Sequence, residues 1–271
     1  MRSAVPDLFR QSSWLRCPVC SADLQPVDRL ALGCENGHRH DVNKRGYVSL
    51  LGGGSKHLGD TTDMLDAREA VLESGAYSPI AEAVASLTVG ERILDAGAGT
   101  GYYLRAALEM IPAALGLAMD LSAQAVARAA RSSDRIDGLV ADTWKPLPVR
   151  TAAADTVLDV FAPRNLPEFH RVLRPGGTLV VVVPRPDHLE SLRASGTMLD
   201  IPVDKADDLI AASEPLYVPL TREHVAYDLP LNSTIRVALA AMGPSARHGA
   251  TAAGDVDATR VSVDVLRLAP R

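Results

Sequence analysis

Four residues near the N-terminus have the types and spacing of a zinc site. Cys17-Pro18-Val19-Cys20 forms one close pair and Cys34-Glu35-Asn36-Gly37-His38 the other. C-x2-C, a thirteen-residue gap and C-x3-H offer three thiolates and one imidazole. That set closes a tetrahedron around Zn²⁺ and leaves no position open for water, so the metal it holds is structural. His40 could stand in for His38 through a five-residue gap, although x3 is the commoner spacing. The chain has three cysteines in all, so none remains for a disulfide, which fits a reducing cytoplasm.

A second group of residues points to a nucleoside cofactor. Leu94-Asp95-Ala96-Gly97-Ala98-Gly99-Thr100-Gly101 lies between an apolar run and a helical pattern. Glycines at such a turn let the backbone approach a ligand at the carboxyl ends of strands. The spacing is G-x-G-x-G, with Tyr102 where a dinucleotide fold would carry its third glycine. Asp120 closes the next apolar run, where a carboxylate can accept bonds from both ribose hydroxyls. Asp142 closes a third, and Thr143 beside it suits an adenine edge. Three strand-end signals in order carry more than one glycine triplet, and they resemble class I S-adenosylmethionine-dependent methyltransferases. Arg174-Pro175-Gly176-Gly177-Thr178 ahead of a further strand fits the same family.

The elements needed to position these residues are legible in the hydrophobic pattern. Residues 15–50 read as a zinc ribbon with short strands at Arg29–Leu32 and Tyr47–Leu51. A segment that small needs metal for much of its folding free energy. Gly52-Gly53-Gly54-Ser55 reads as a joint. Asp60–Glu73 has helical spacing, with Asp60, Thr61 or Thr62 as cap. From Pro79 onward, strands at Arg92–Asp95, Ala114–Asp120, Gly138–Asp142, Asp155–Phe161 and Thr178–Pro184 alternate with helices at 79–87, Ser122–Ser132 and Leu166–Leu173. Strands apolar on both faces, separated by helices, indicate a parallel sheet covered on both sides. Val225–Leu231 and Arg260–Leu268 alternate and predict an antiparallel pair at one edge, separated by a polar loop at 244–258. The organisation expected is a zinc-binding RNA-recognition module at 1–51, a linker and helix at 52–78, and a methyltransferase domain at 79–271.

Bulk properties exclude some classes. No apolar run is long enough to span a bilayer, and Arg2, Asp7 and Arg10 interrupt any signal-peptide core. A cytoplasmic protein with no membrane partner is expected. The net charge of −5 hides a split: residues 1–57 carry eight Lys/Arg against five Asp/Glu, and the remainder twenty against twenty-eight. The N-terminal segment is therefore the place for phosphate contact. Arg39, Lys44, Arg45 and Lys56, with Tyr47 interleaved, are the RNA-binding candidates; a solvated charged surface explains the same residues.

A narrower resemblance emerges when further short motifs are added. Arg45-Gly46-Tyr47-Val48-Ser49-Leu50-Leu51, Gly59-Asp60, Ala67-Arg68, Gly75-Ala76-Tyr77, Gly101-Tyr102-Tyr103, Phe161-Ala162-Pro163 and Pro186-Asp187-His188-Leu189 follow the cysteine cluster in order. Together they resemble the large-subunit ribosomal RNA guanine-N1 methyltransferases, which include tylosin-resistance enzymes of actinomycetes. The resemblance covers residues 15–190. It implies a Rossmann-like, mostly parallel sheet of seven strands, an N-terminal zinc ribbon, S-adenosylmethionine and structural zinc as cofactors, and 23S rRNA as partner. It implies Cys17, Cys20, Cys34 and His38 as zinc ligands, and Tyr77, Gly99, Thr100, Asp120 and His188 at the cofactor. Asp95, Gly97, Gly101, Asp142 and Thr143 join that group from the strand-end reading. A homodimer and macrolide resistance of the tylosin type are further expectations by analogy. The family often has a cysteine where this chain has Ala98.

Methyl transfer to guanine N1 requires that N1 lose its proton. A carboxylate or water near the base, or a cation at O6, would help. Asp159, Arg164 and Glu168 flank the Phe161-Ala162-Pro163 turn after the fourth strand, and Phe161 could stack on an unstacked base. The choice among these four stays open. A class I methyltransferase acting on a small metabolite is the main alternative; a non-catalytic zinc-bearing RNA-binding module is the other.

Overall fold

The computed structural model describes residues 6–52, 59–194, 201–242 and 256–271. Lys56, Gly53 to Ser55 and nearly all of the 244–258 loop lie outside them. The chain begins with α1 (Leu8–Ser12), capped by Asp7. Four short strands follow: β1 (Gln25–Asp28), β2 (Ala31–Gly33), β3 (Arg39–Asn43) and β4 (Tyr47–Ser49). Helices α2 (Thr62–Glu73) and α3 (Ser78–Leu87) lead to β5 (Arg92–Ala96), α4 (Tyr102–Met110), β6 (Leu115–Asp120), α5 (Ala123–Ser132), β7 (Ile136–Val140), β8 (Ala154–Val160), α6 (Leu166–Val172) and β9 (Leu173–Pro184). The chain ends with α7 (Glu190–Ala194), α8 (Lys205–Ser213), β10 (Tyr217–Pro230), α9 (Ser233–Ala241) and β11 (Ala258–Pro270).

The caps are those the sequence supplies. Thr61 Oγ1 accepts from the Met64 amide at the start of α2, and Ser122 Oγ from the Ala125 amide at the start of α5. Each satisfies a donor that the first helical turn leaves unpaired.

The seven strands from β5 onward stand in the order β7-β6-β5-β8-β9-β11-β10, parallel except for β11, which runs antiparallel to both neighbours. This is the expected mostly parallel sheet. Leu179 to Val183 of β9 are all fully buried, as a strand covered on both faces requires. β10, with 14 residues, is twice the expected length and β11, with 13, is also longer, because β10 is an edge strand whose early residues, such as Thr221, Glu223 and His224, are exposed and carry no apolar signal. The third strand ends at Val140, so Asp142 lies two residues beyond it in the following turn.

The ribbon does not hang from the sheet as a separate body. β4 pairs in parallel with β7, matching Tyr47 with Gly138 and Val48 with Leu139. The whole is one eleven-stranded sheet, β1-β2-β3-β4 continuing into β7. Trp14, Leu15, Leu24, Leu32 and Val48 share a continuous buried cluster with Leu117, Met119, Leu139 and Phe169 on one face of that sheet. The Arg92 guanidinium stacks 3.8 Å above the Trp14 ring. The other face is covered by α2, α3, α4 and α9, with a second cluster around Ile80, Leu104 and Leu158.

Candidate active site and metal centre

Strand order reverses between β5 and β8, since the chain leaves β5 toward β6 and returns on the opposite side. The loops at the carboxyl ends of these two strands diverge there and open the crevice in which α/β folds bind ligands. A cavity of about 840 Å³ occupies that place.

The floor is the turn Gly97 to Gly101. Gly97 sits at φ +87°, and a Cβ there would lie 2.4 Å from that of Ala162 in the turn after β8. Only glycine lets the two loops approach so closely. Gly101, at φ +81°, starts α4, which directs its first amides toward the turn. Asp120 at the end of β6 accepts from the Gly99 amide (3.0 Å) and the Ser122 amide (2.8 Å), tying the two strand ends together. Burial pushes the Asp120 carboxyl up against those hydrogen bonds. Asp142 turns back on the Trp144 amide at 3.0 Å. Opposite them, Arg68 of α2 pairs with Asp60 and donates to the Met242 carbonyl, forming one wall.

At the other end the cavity is aromatic. Phe161 stands 6.2 Å from Tyr77, 6.5 Å from Tyr103 and 5.8 Å from His188, centroid to centroid. Phe161 adopts φ +55° and is 40% exposed, presenting its ring at the mouth. The hydroxyls of Tyr77 and Tyr103 are buried with no hydrogen-bond partner, and burial pushes both phenols up. Both residues line the cavity, and a buried hydroxyl without a partner is the kind of group that a polar ligand could satisfy. His188 Nδ1 accepts from the Ser262 amide at 3.2 Å. Burial and then the Arg193 charge lower its pKa to about 4, so the ring is neutral with its proton on Nε2.

Of the ten cofactor candidates, eight line the cavity. Asp95 and Gly101 are not part of the lining. Asp95 is 1% exposed, has one unpartnered carboxylate oxygen, and is pushed up to about 8 by burial and by Asp120. Of the four catalytic candidates, Phe161 alone lines it. Asp159 points away into full burial, 3.4 Å from Arg164 Nε, and its carboxyl is pushed well up by desolvation. Glu168 accepts from the Leu147 amide, Arg171 and Arg16, so it clasps the segment between α1 and β1 to α6. Among the wall residues that carried no role in the sequence are Trp144, Arg193, Lys205 and Met242. Arg193, Lys205 and Met242 fall in segments without a cofactor-loop pattern, so no local signal marks them.

The metal centre has the expected donors. Ligand atoms of Cys17, Cys20, Cys34 and His38 all lie within 4.8 Å of one another. Cys20 Sγ and Cys34 Sγ are 3.7 Å apart, and Cys34 Sγ is 3.4 Å from His38 Nδ1. Those edges match a tetrahedron with bonds of about 2.3 Å to sulfur and about 2.0 Å to nitrogen. Asn36 Nδ2 donates to Cys20 Sγ at 3.3 Å, a supporting contact outside the ligand set. His40 Nε2 lies 3.7 Å from Cys17 Sγ, but His40 is outside the mutually close set of four. The residues therefore fit structural zinc.

The RNA-binding candidates separate. Lys44 and Arg45 are exposed at the tip of the β3–β4 turn. Arg39 is also exposed but pairs with Asp28 at 2.8 Å. Tyr47 is half-buried, with its Cβ over Gly138, so it is not an open stacking platform.

Comparison with known proteins agrees with both centres. Residues 15–57 match the family model described as RlmA, N-terminal, a zinc ribbon, and residues 93–177 match that described as Methyltransferase domain. A 23S rRNA (guanine(748)-N(1))-methyltransferase of Streptomyces fradiae is 43% identical over 242 residues, covering 87% of this chain and 86% of that protein. A Micromonospora griseorubida protein provisionally named as a 23S rRNA (guanine-N1)-methyltransferase is 40% identical over 269 residues, covering 90% and 89%. Among solved structures, the methyltransferase-type chain in complex with the Haloferax volcanii Trm112 activator matches with a TM-score of 0.52 at 20% identity, covering 78% of this chain and all of that one. That likeness speaks to the fold alone.

Proposed function

The chain belongs to the 23S rRNA (guanine-N1)-methyltransferase family, and from that membership we propose that it moves a methyl group from S-adenosylmethionine to N1 of a guanine in a hairpin loop of large-subunit rRNA. The observation that carries the reading is the joining of a Cys3His ribbon edge-on to a class I cofactor crevice in one sheet. The ribbon carries the exposed Lys44 and Arg45, which suit phosphate contact, and phosphate contacts are what position a protein on nucleic acid.

Bound S-adenosylmethionine supplies an already activated methyl on its sulfonium. The chain's own residues bind and orient. Asp120, with two lone-pair directions left after its amide bonds, holds the ribose; Asp142 and Thr143 hold the adenine edge. Tyr77 and Tyr103 lend their unpaired hydroxyls to the polar end of the cofactor or to the base edge. Phe161 stacks on a guanine swung out of its loop, and with Pro163 keeps water from the reacting atoms. Lys44 and Arg45 meet phosphates, since the deep groove of an A-form stem is closed to side chains. Among the described residues no helix is long and apolar enough to cross a membrane, and a ribosomal substrate places the enzyme's work in the cytoplasm.

The Streptomyces fradiae relative is named for guanine 748, which makes that position the first to assay. Mapping N1-methylguanosine in 23S rRNA from cells with and without this gene tests the proposal. A new modification at one loop guanine is expected, with raised tolerance of tylosin-type macrolides. Unchanged guanine-N1 methylation at every position overturns it.

A further inference from the structure

The acceptor end of the cavity carries cations and no carboxylate among the described residues. The three carboxylates that line the cavity are engaged on the cofactor side: Asp60 with Arg68, Asp120 with two amides, and Asp142 with the Trp144 amide. Asp159 and Glu168, which follow the acceptor strand in sequence, lie outside the lining. Beside Phe161 and His188 the wall is instead built by Arg193 and Lys205. Among the described residues, therefore, no carboxylate faces the position where a guanine would stack.

Lys205 is the residue that matters there. It opens α8, and its side chain reaches the cavity while Ala206 and Leu209 bury the helix against the core. Arg222 of β10 donates to Asp207 at 2.6 Å, pinning the same helical turn. No ion pair or hydrogen bond to the ammonium occurs among the described residues. Partial burial and the neighbouring Arg164 lower its pKa, and its charge is felt at His188. An ammonium held without a counter-charge at the wall of a cavity is poised to meet a developing anion.

Guanine N1 supplies that anion. When its N–H bond breaks, the electron pair stays on the base and the negative charge spreads to O6. We propose that the Lys205 ammonium binds the O6 edge of the acceptor guanine and stabilises the N1-deprotonated base, so that the proton leaves to solvent water without a protein carboxylate. N1 then forms its bond to the methyl carbon while the carbon–sulfur bond breaks and its pair stays on sulfur, leaving a neutral thioether. This rests on the guanine-N1 reading above and adds the group that makes N1 nucleophilic.

The test is single-turnover methylation of unmodified 23S rRNA by the zinc-loaded full chain across pH 6 to 10, comparing wild type, Lys205→Met and Lys205→Arg. Lys205→Met should lose about 100-fold in rate near neutral pH. The deficit should shrink as pH rises into the range where guanine N1 ionises unaided, and Lys205→Arg should retain most of the rate. Cofactor affinity, read by calorimetry with S-adenosylhomocysteine, should not change. An unaltered rate, a deficit of equal size at every pH, or a loss confined to RNA affinity overturns the assignment, the last meaning a phosphate contact. A wild-type enzyme that binds cofactor yet forms no N1-methylguanosine overturns the underlying reading, and that result is visible before any variant is compared.

Discussion

Arg10 and Asp137, 127 residues apart, form a two-pronged ion pair: Arg10 Nε donates to Oδ2 at 2.8 Å and Nη2 to Oδ1 at 2.7 Å. Asp137 lies in β7 and is 3% exposed, while Gln11, next to Arg10, donates to the carbonyl of Gly138. The pair thus locks α1 onto the strand that receives β4.

Removing Arg10 leaves a buried carboxylate with no partner, which typically costs about 3 kcal/mol. Arg10→Ala should lower the thermal midpoint by roughly 5–10 °C for a chain of this size. Because ribbon and crevice share one buried cluster, a single transition should move as a whole, monitored by both Trp fluorescence and far-UV dichroism. A midpoint equal to wild type, or two separate transitions, would refute the locked arrangement.

Zinc removal follows the same logic. A free-standing ribbon would lose its fold to a chelator and leave cofactor binding intact. Here β4 is paired to β7, two strands from the cofactor turn, and Cys17 is itself part of the shared cluster. Chelation, or Cys17→Ser with Cys20→Ser, should abolish RNA methylation, lower the melting midpoint of the entire chain, and weaken S-adenosylhomocysteine binding several-fold. Cofactor affinity and midpoint both unaffected by metal loss would contradict this coupling.

The contrast shows which part of the molecule was written locally. The Cys3His cluster, the turn at Gly97 to Gly101 and the strand-end place of Asp120 are legible because each depends on spacing along a few residues. Helix caps at Thr61 and Ser122 are legible for the same reason. The attachment of the ribbon is not: Tyr47 meets Gly138, and Arg10 meets Asp137, across long stretches of chain. Asp159 and Glu168 flank the acceptor turn in sequence, but Asp159 lies in full burial and Glu168 is spent on Arg16, Arg171 and an amide, outcomes decided by packing. Lys205 reaches the cavity from a helix whose own pattern carries no chemistry.

The buried imidazole of His188 makes stability depend on pH. Its folded pKa is about 4, against about 6.5 for a free histidine. Between these values the unfolded chain binds a proton that the folded protein does not, so stability falls as pH drops through 6.5 and the loss is complete below about 4. The full effect is about 3 kcal/mol. His188→Asn, whose amide oxygen can still accept from Ser262, lacks this dependence. The difference in unfolding free energy between wild type and variant, taken from urea titrations at pH 7 and pH 4, should change by that amount in the direction that favours the variant at low pH. A difference independent of pH would show that the ring titrates in the fold as it does in the unfolded chain, and that burial does not lower its pKa.

Tyr77 offers a test whose two readouts have opposite signs. Its ring is packed among Phe161 and His188 and is 2% exposed, yet its hydroxyl has no partner. In the free protein that hydroxyl has been stripped of water with nothing in exchange, a cost of about 1 kcal/mol or more. Tyr77→Phe removes the cost and keeps the ring, so the free protein should become more stable by about 1 kcal/mol. If the hydroxyl is there to meet the cofactor, S-adenosylhomocysteine should at the same time bind about 5- to 10-fold more weakly, equivalent to about 1 to 1.4 kcal/mol. The stabilisation that ligand confers in a thermal melt would shrink even as the unliganded midpoint rises. A purely structural tyrosine would move both quantities in the same direction or leave affinity untouched. Tyr103→Phe, with the second unpaired hydroxyl of the same wall, provides the companion measurement and separates the two ends of the ligand: the hydroxyl that faces the cofactor changes its affinity, and the one that faces the guanine changes turnover alone.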